Sequence, residues 1–157
     1  MRFIRLIHII LSVILFDFAA SANIYLSSLS SMNSDLSNDH ITAICIDRYG
    51  FAWIGTASGL NRFDTHNIQT FREDDLGLHT DYVRSIYEDT SGDVWIGTDS
   101  GLSMYDRDLD IFVPISCQSD KGCSISKRVA CIGEDGEGKI WISVGDQGLF
   151  SYDKETS

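Results

Sequence analysis

Few residues in this 157-residue chain have the types and spacing that chemistry demands. Its four His residues sit in no motif with Ser and Asp, so a nucleophile with its base has no support and no catalytic residue is expected. The four Cys residues are Cys45, Cys117, Cys123 and Cys131. They form no Cys-x-x-Cys pair and no His pair accompanies them, so a zinc site is not expected. Cys117 and Cys123 bracket the polar turn Gln-Ser-Asp-Lys-Gly, a spacing that could close a small disulfide loop if the Cα atoms lie within about 7 Å. Cys45 and Cys131 fall inside strand patterns and are expected to be buried free thiols. The acidic run Glu134-Asp135-Gly136-Glu137-Gly138 suggests calcium, but it lacks the ligand spacing of a calcium loop, and a hairpin turn explains it. No metal and no cofactor are expected.

Binding offers more than catalysis. Trp53, Trp95 and Trp141 could stack on sugars, yet their identical surroundings point to a packed core. Asp39, His40, Asp81, Tyr82, Lys127 and Arg128 lie in connections between strand groups, where a binding protein displays its variable loops. They are the candidate ligand contacts, against the plainer reading of solvated loop residues.

The elements that carry these residues form a repeat. The segments ITAICIDRYGFAWIGTASGLNRFD from Ile41, VRSIYEDTSGDVWIGTDSGLSMYD from Val83 and VACIGEDGEGKIWISVGDQGLFSYD from Val129 superpose at offsets of 42 and 46 residues. Asp47, Asp89 and Asp135 align, as do Gly50, Gly92 and Gly138 and the three Trp residues. Each unit reads as an alternating strand, an Asp-x-x-Gly turn, a Trp-Ile strand apolar on both faces, a second turn and a strand ending in an aromatic and Asp. More polar fourth strands are expected at Ile68–Arg72 and Ile111–Ile115, the latter tolerating the lone Pro114 at an outer edge. Four short strands per unit is the period of a β-propeller blade. A β-sandwich seldom repeats a motif at near-constant offset. The expected fold is all-β, with repeats at 41–82, 83–128 and 129–157, too few to close a ring. Residues 23–40 are expected to form an outer strand, Ile24–Leu29, and a linker.

The first residues read as an export signal at 1–22. Arg2 and Arg5 precede the apolar run Leu6–Phe16, and Ala20-Ser21-Ala22 resembles a cleavage site. The run is shorter than the roughly 20 residues that span a bilayer. The net charge is −11, and −12 without 1–22, which disfavours nucleic acid and anionic lipid as partners. A periplasmic location is expected.

The pattern D-x-x-G-x-x-W-I-G-T-x-x-G-L-x-x-[YF]-D resembles the two-component regulator propeller repeat. It fits fully through Trp53-Ile54-Gly55-Thr56 and Trp95-Ile96-Gly97-Thr98, and departs at Ser143-Val144. The resemblance implies the periplasmic input part of a Bacteroidetes hybrid two-component histidine kinase, anchored in the inner membrane. It further implies an oligosaccharide ligand, further propeller blades as partners and a possible homodimer. No kinase motif is present in this sequence, so the chain itself is expected to be no enzyme. Two other readings stay open: a fragment of a propeller enzyme, and an adhesion or scaffold propeller. The Asp-box of sialidases places Asp five residues before Trp, whereas here the separation is six in every unit.

Overall fold

The computed structural model describes residues 27–73, 77–116 and 125–154. The signal segment, Ile24–Leu26, and the pair Cys117 and Cys123 lie outside them. The remainder of the expected first strand, residues 27–29, has no regular structure.

Eleven strands follow one another. The first sheet contains β1 (Ile41–Ile46), β2 (Ala52–Thr56), β3 (Gly59–Phe63) and β4 (Ile68–Phe71). The second contains β5 (Val83–Glu88), β6 (Val94–Thr98), β7 (Leu102–Asp106) and β8 (Ile111–Ile115). The third contains β9 (Val129–Glu134), β10 (Ile140–Val144) and β11 (Gly148–Tyr152). Within each sheet sequential strands pair antiparallel, so each repeat is one meander. Pro114 sits in the outermost strand β8, opposite Ser103, where a missing amide costs no internal ladder bond.

The turn between the first two strands has one cause in all three sheets. Asp47 Oδ1 accepts the amides of Tyr49 and Phe51, both at 3.0 Å, and Gly50 takes φ +87° to bring the chain back. Asp89 does the same for Ser91 and Asp93, and Asp135 for Glu137 and Lys139.

The sheets stack face to face through their first strands, β1 against β5 and β5 against β9, which places these strands innermost. Each sheet therefore has a front, facing the next repeat, and a back, facing the previous one. Trp53, Leu60 and Phe71 on the first front pack with Val83, Val94, Ile96, Tyr105 and Phe112 on the second back. Trp95 and Leu102 on the second front pack with Val129, Ile132, Ile140, Ile142 and Val144 of the third sheet. Close approach depends on glycine in the Trp-Ile-Gly-Thr strand. A Cβ on Gly55 would lie 2.6 Å from Val83 Cγ1, and one on Gly97 would lie 2.7 Å from Val129 Cγ1.

The stack is open at both ends. Ile44 and Ile46 are exposed on the back of the first sheet, and Trp141 and Leu149 are exposed in the third. The same openness corrects one expectation. Cys45 is half-buried against the first core, and burial raises its thiol pKa, but Cys131 is exposed rather than buried.

Candidate functional site

Antiparallel meanders divide the assembly into two rims. One carries the three Asp turns. The other carries the connections that enter β1, β5 and β9.

On the turn rim, each Asp completes its turn by accepting the indole N–H of the Trp six residues on. The distances are 2.9 Å for Trp53 to Asp47, 2.7 Å for Trp95 to Asp89 and 2.8 Å for Trp141 to Asp135. The first two carboxylates then receive a cation from the following repeat. Arg107 Nη2 donates to Asp47 Oδ2 at 3.0 Å, and Lys154 Nζ donates to Asp89 Oδ2 at 2.5 Å. Both side chains come directly after the aromatic-Asp pair that ends a third strand. A second bond crosses each interface beside the first. Glu88, closing β5, accepts the Arg48 amide at 2.9 Å. Glu134, closing β9, accepts the Thr90 amide at 2.8 Å. Burial opposes ionisation of Asp47 and Asp89, but the indole, cation and amide donors outweigh it, and both pKa values fall below the ordinary value. Asp135 is lowered by Trp141 and its turn amides. Burial likewise opposes the charge on Lys154, yet Asp89 and Asp93 raise its pKa.

Arg62 adds a further tie between the first two sheets. Its guanidinium lies 5.3 to 5.6 Å from the ring centroids of Phe51, Trp53, Phe71 and Tyr105. It also donates to the Tyr105 hydroxyl and to Asp110. Burial and the bond to Asp110 push the Tyr105 pKa up to about 12.

The connection rim holds the residues expected to meet a ligand. His40, Tyr82 and Arg128 are structural equivalents, each giving its carbonyl to the amide just after the second strand, at Ala57, Asp99 and Gly145. The His40 and Tyr82 rings meet edge to face at 6.2 Å. Two residues that the sequence reading missed join them. Arg84 lies 3.9 Å from the Tyr82 ring centroid and holds Asp99 through two hydrogen bonds of 2.6 and 3.1 Å. Their signal was available: Asp99 comes just after Trp-Ile-Gly-Thr, and Arg84 lies two residues beyond Tyr82. Asp39 and Asp81 are occupied in shaping loops. Asp39 accepts the Ser31 amide and hydroxyl, and Asp81 accepts the Glu73 amide. Lys127 and Arg128 are exposed, and no hydrogen bond or ring contact links them to His40 or Tyr82. The rim thus presents an aromatic pair, a stacked guanidinium and a carboxylate. These groups can grip hydroxyl-rich molecules through stacking and paired hydrogen bonds. Among the described residues no group of three or more His, Cys, Asp or Glu is placed to hold a metal.

Comparison with known proteins agrees with the repeat. Residues 35–58 and 77–100 match the family model described as two component regulator propeller. An extracellular domain assigned to a hybrid two component system of B. thetaiotaomicron aligns at TM-score 0.74 and 24% identity, over 83% of this chain and 19% of that one. A second such domain from the same organism aligns at TM-score 0.68 and 31% identity, over 74% of this chain and 17% of that one. Virginiamycin B lyase from Staphylococcus aureus aligns at TM-score 0.55 and 17% identity, over 82% of this chain and 45% of that one, a likeness of fold alone. The chain spans less than a fifth of the two B. thetaiotaomicron domains. No curated protein sequence matches it. The fold is a set of β-propeller blades, and residues 35–58 and 77–100 of it carry the two component regulator propeller repeat.

Proposed function

We propose that this chain is a periplasmic ligand-input segment of a two-component sensor, that it performs no catalysis, and that it reads oligosaccharides released from polysaccharides. The family match at 35–58 and 77–100 is the observation that carries this reading. The likeness to extracellular domains of B. thetaiotaomicron systems supports an extracytoplasmic role, and so does the apolar run behind Arg2 and Arg5.

The ligand is met at the connection rim. His40 and Tyr82 supply the aromatic surface, Arg84 and Asp99 the polar pair, and Lys127 and Arg128 the flanking charges. Asp39 and Asp81 act one step back, by fixing the loops that present His40 and Tyr82. The test is calorimetric titration of the protein with a panel of neutral and uronic oligosaccharides. A saturable heat that Tyr82→Ala and His40→Ala each reduce at least tenfold is expected. Binding that survives both substitutions, or no binding by any member of the panel, would overturn the assignment.

A further inference from the structure

The three repeats enter their innermost strands through equivalent residues, but not with equivalent chemistry. The first two entries read Asp39-His40 and Asp81-Tyr82, and the third reads Lys127-Arg128. The acids of the first two are held. Asp39 accepts the Ser31 amide and hydroxyl, and Asp81 accepts the Glu73 amide with Arg72 3.8 Å away. The cations of the third are not. Lys127 and Arg128 are exposed, and among the described residues neither is paired with a carboxylate.

The carboxylate that would pair with Arg128 is missing from the repeat. Ala57, Asp99 and Gly145 are equivalents, each giving its amide to the entry carbonyl. In the second repeat Asp99 neutralises Arg84 through bonds of 2.6 and 3.1 Å. Gly145 has no side chain to do the same. A Cβ built on it would lie 3.3 Å from Arg128 Nε, so the guanidinium rests where a carboxylate stem would begin. These cations adjoin the aromatic part of the rim. Ser85 Oγ donates to the Val129 carbonyl at 3.3 Å, which fastens the entry into β9 to β5 one residue beyond Arg84. Arg84 in turn stacks on Tyr82 at 3.9 Å. Two unpaired positive charges therefore stand beside a stacked ring, on a chain whose net charge is −11. Screening confines the reach of an exposed charge to about 8 Å at physiological ionic strength, so this local surplus outweighs the acidity of distant surfaces.

Resting on the ligand reading above, we propose that the ligand is anionic, a saccharide that bears a carboxylate or a sulfate ester. Lys127 and Arg128 take the anionic group, and the sugar ring lies against Tyr82. A guanidinium fork grips a carboxylate through two parallel hydrogen bonds, and a tetrahedral oxyanion offers similarly paired oxygens. Arg84 is committed to Asp99, so the third entry supplies the selectivity.

The test is calorimetric titration of the whole protein with galactotriose and cellotriose, each beside its uronic and its singly sulfated counterpart. At least one charged form is expected to bind at least tenfold tighter than its neutral parent, and which form does so tells carboxylate from sulfate. Added salt should erase that preference. Lys127→Gln with Arg128→Gln should abolish it without changing the melting temperature, because both side chains are exposed. Gly145→Asp should abolish it independently, by giving Arg128 the partner that Arg84 has. Binding of neutral and charged forms with equal affinity would overturn this proposal and leave the ligand reading standing, whereas no binding by any of these probes would overturn both. A preference that survives the double variant, or sodium sulfate binding as tightly as the charged trisaccharides, would also overturn it. The first would mean that the anion is met elsewhere, and the second that only ionic attraction is at work.

Discussion

The Asp89 turn and the Asp135 turn are built alike and end differently. In both, one carboxylate oxygen holds two amides and the other holds an indole N–H. Asp89 is then covered by Lys154, and its Trp95 is fully buried. Asp135 has no such cover among the described residues, and its Trp141 is 39% exposed. A repeat thus builds its turn from its own sequence, but the value of that turn depends on the neighbour. Stability in such a stack is largely a sum of interfaces, so identical motifs need not carry equal weight.

The largest test of that inequality is removal of the indoles. Trp95→Ala should cost about 3–5 kcal/mol, enough to abolish a cooperative transition, because it empties the second core. Trp141→Ala should cost far less in urea titrations. Equal costs would mean that burial between sheets is not what distinguishes the turns. Next in size are the carboxylates. Asp89→Asn leaves Lys154 with Asp93 alone and puts a neutral amide in the buried site, and should cost about 1–3 kcal/mol, whereas Asp135→Asn should move the urea midpoint only slightly.

Alkali, unlike acid, should separate the two interfaces. The lowered pKa values of Asp47 and Asp89 supply stabilisation that is present above the ordinary carboxylate value of 3.8 and lost as pH falls through the folded values. Both interfaces should therefore loosen in acid. The raised pKa of Lys154 supplies stabilisation that is present below 10.5 and lost as pH rises through the folded value. Arginine keeps its charge across that range, so alkali should loosen the second interface before the first. Tryptophan emission tracked from pH 9 upward should show this step, and Lys154→Arg should remove it. Persistence of the step in Lys154→Arg would assign it to another group. The smallest expected effect is at Arg62. Arg62→Lys keeps the charge but loses the flat contact with four rings and should cost about 1 kcal/mol by thermal melting.

Much of the fold could be read from the sequence, because the inner strands are bracketed by turn residues with a strong local preference. The Asp-x-x-Gly and Ser-Gly turns set the strand ends, and the aligned Trp residues set the repeat. The fourth strand ended at Phe71 rather than Arg72. Local preference does not say which neighbour covers a face. Cys131 carries the same alternating pattern as Cys45 but lies exposed, and Trp141 fits the same motif as Trp95 but stays partly open. The candidate site was legible only in part for the same reason. His40 and Tyr82 were expected at the connections from their position in the repeat, and their rings do meet there. Arg84 and Asp99 were missed because their partnership spans a strand and a turn, and Asp39 and Asp81 proved to shape loops. Arg107 and Lys154 stand in the same place, one residue beyond an aromatic-Asp pair, and that shared position was a usable signal for both.

The bonds between sheets also impose an order in time. Each Asp finds its turn amides within four residues and its indole six residues on, so this part closes as soon as the segment is available. Its cation arrives much later, 60 residues on for Asp47, and closing so long a loop carries a larger entropic penalty. During synthesis or passage across a membrane, the newest repeat would always present an unshielded Asp and Trp to whatever emerges next. Folding would then advance as a moving front from the amino end, each repeat finished by its successor.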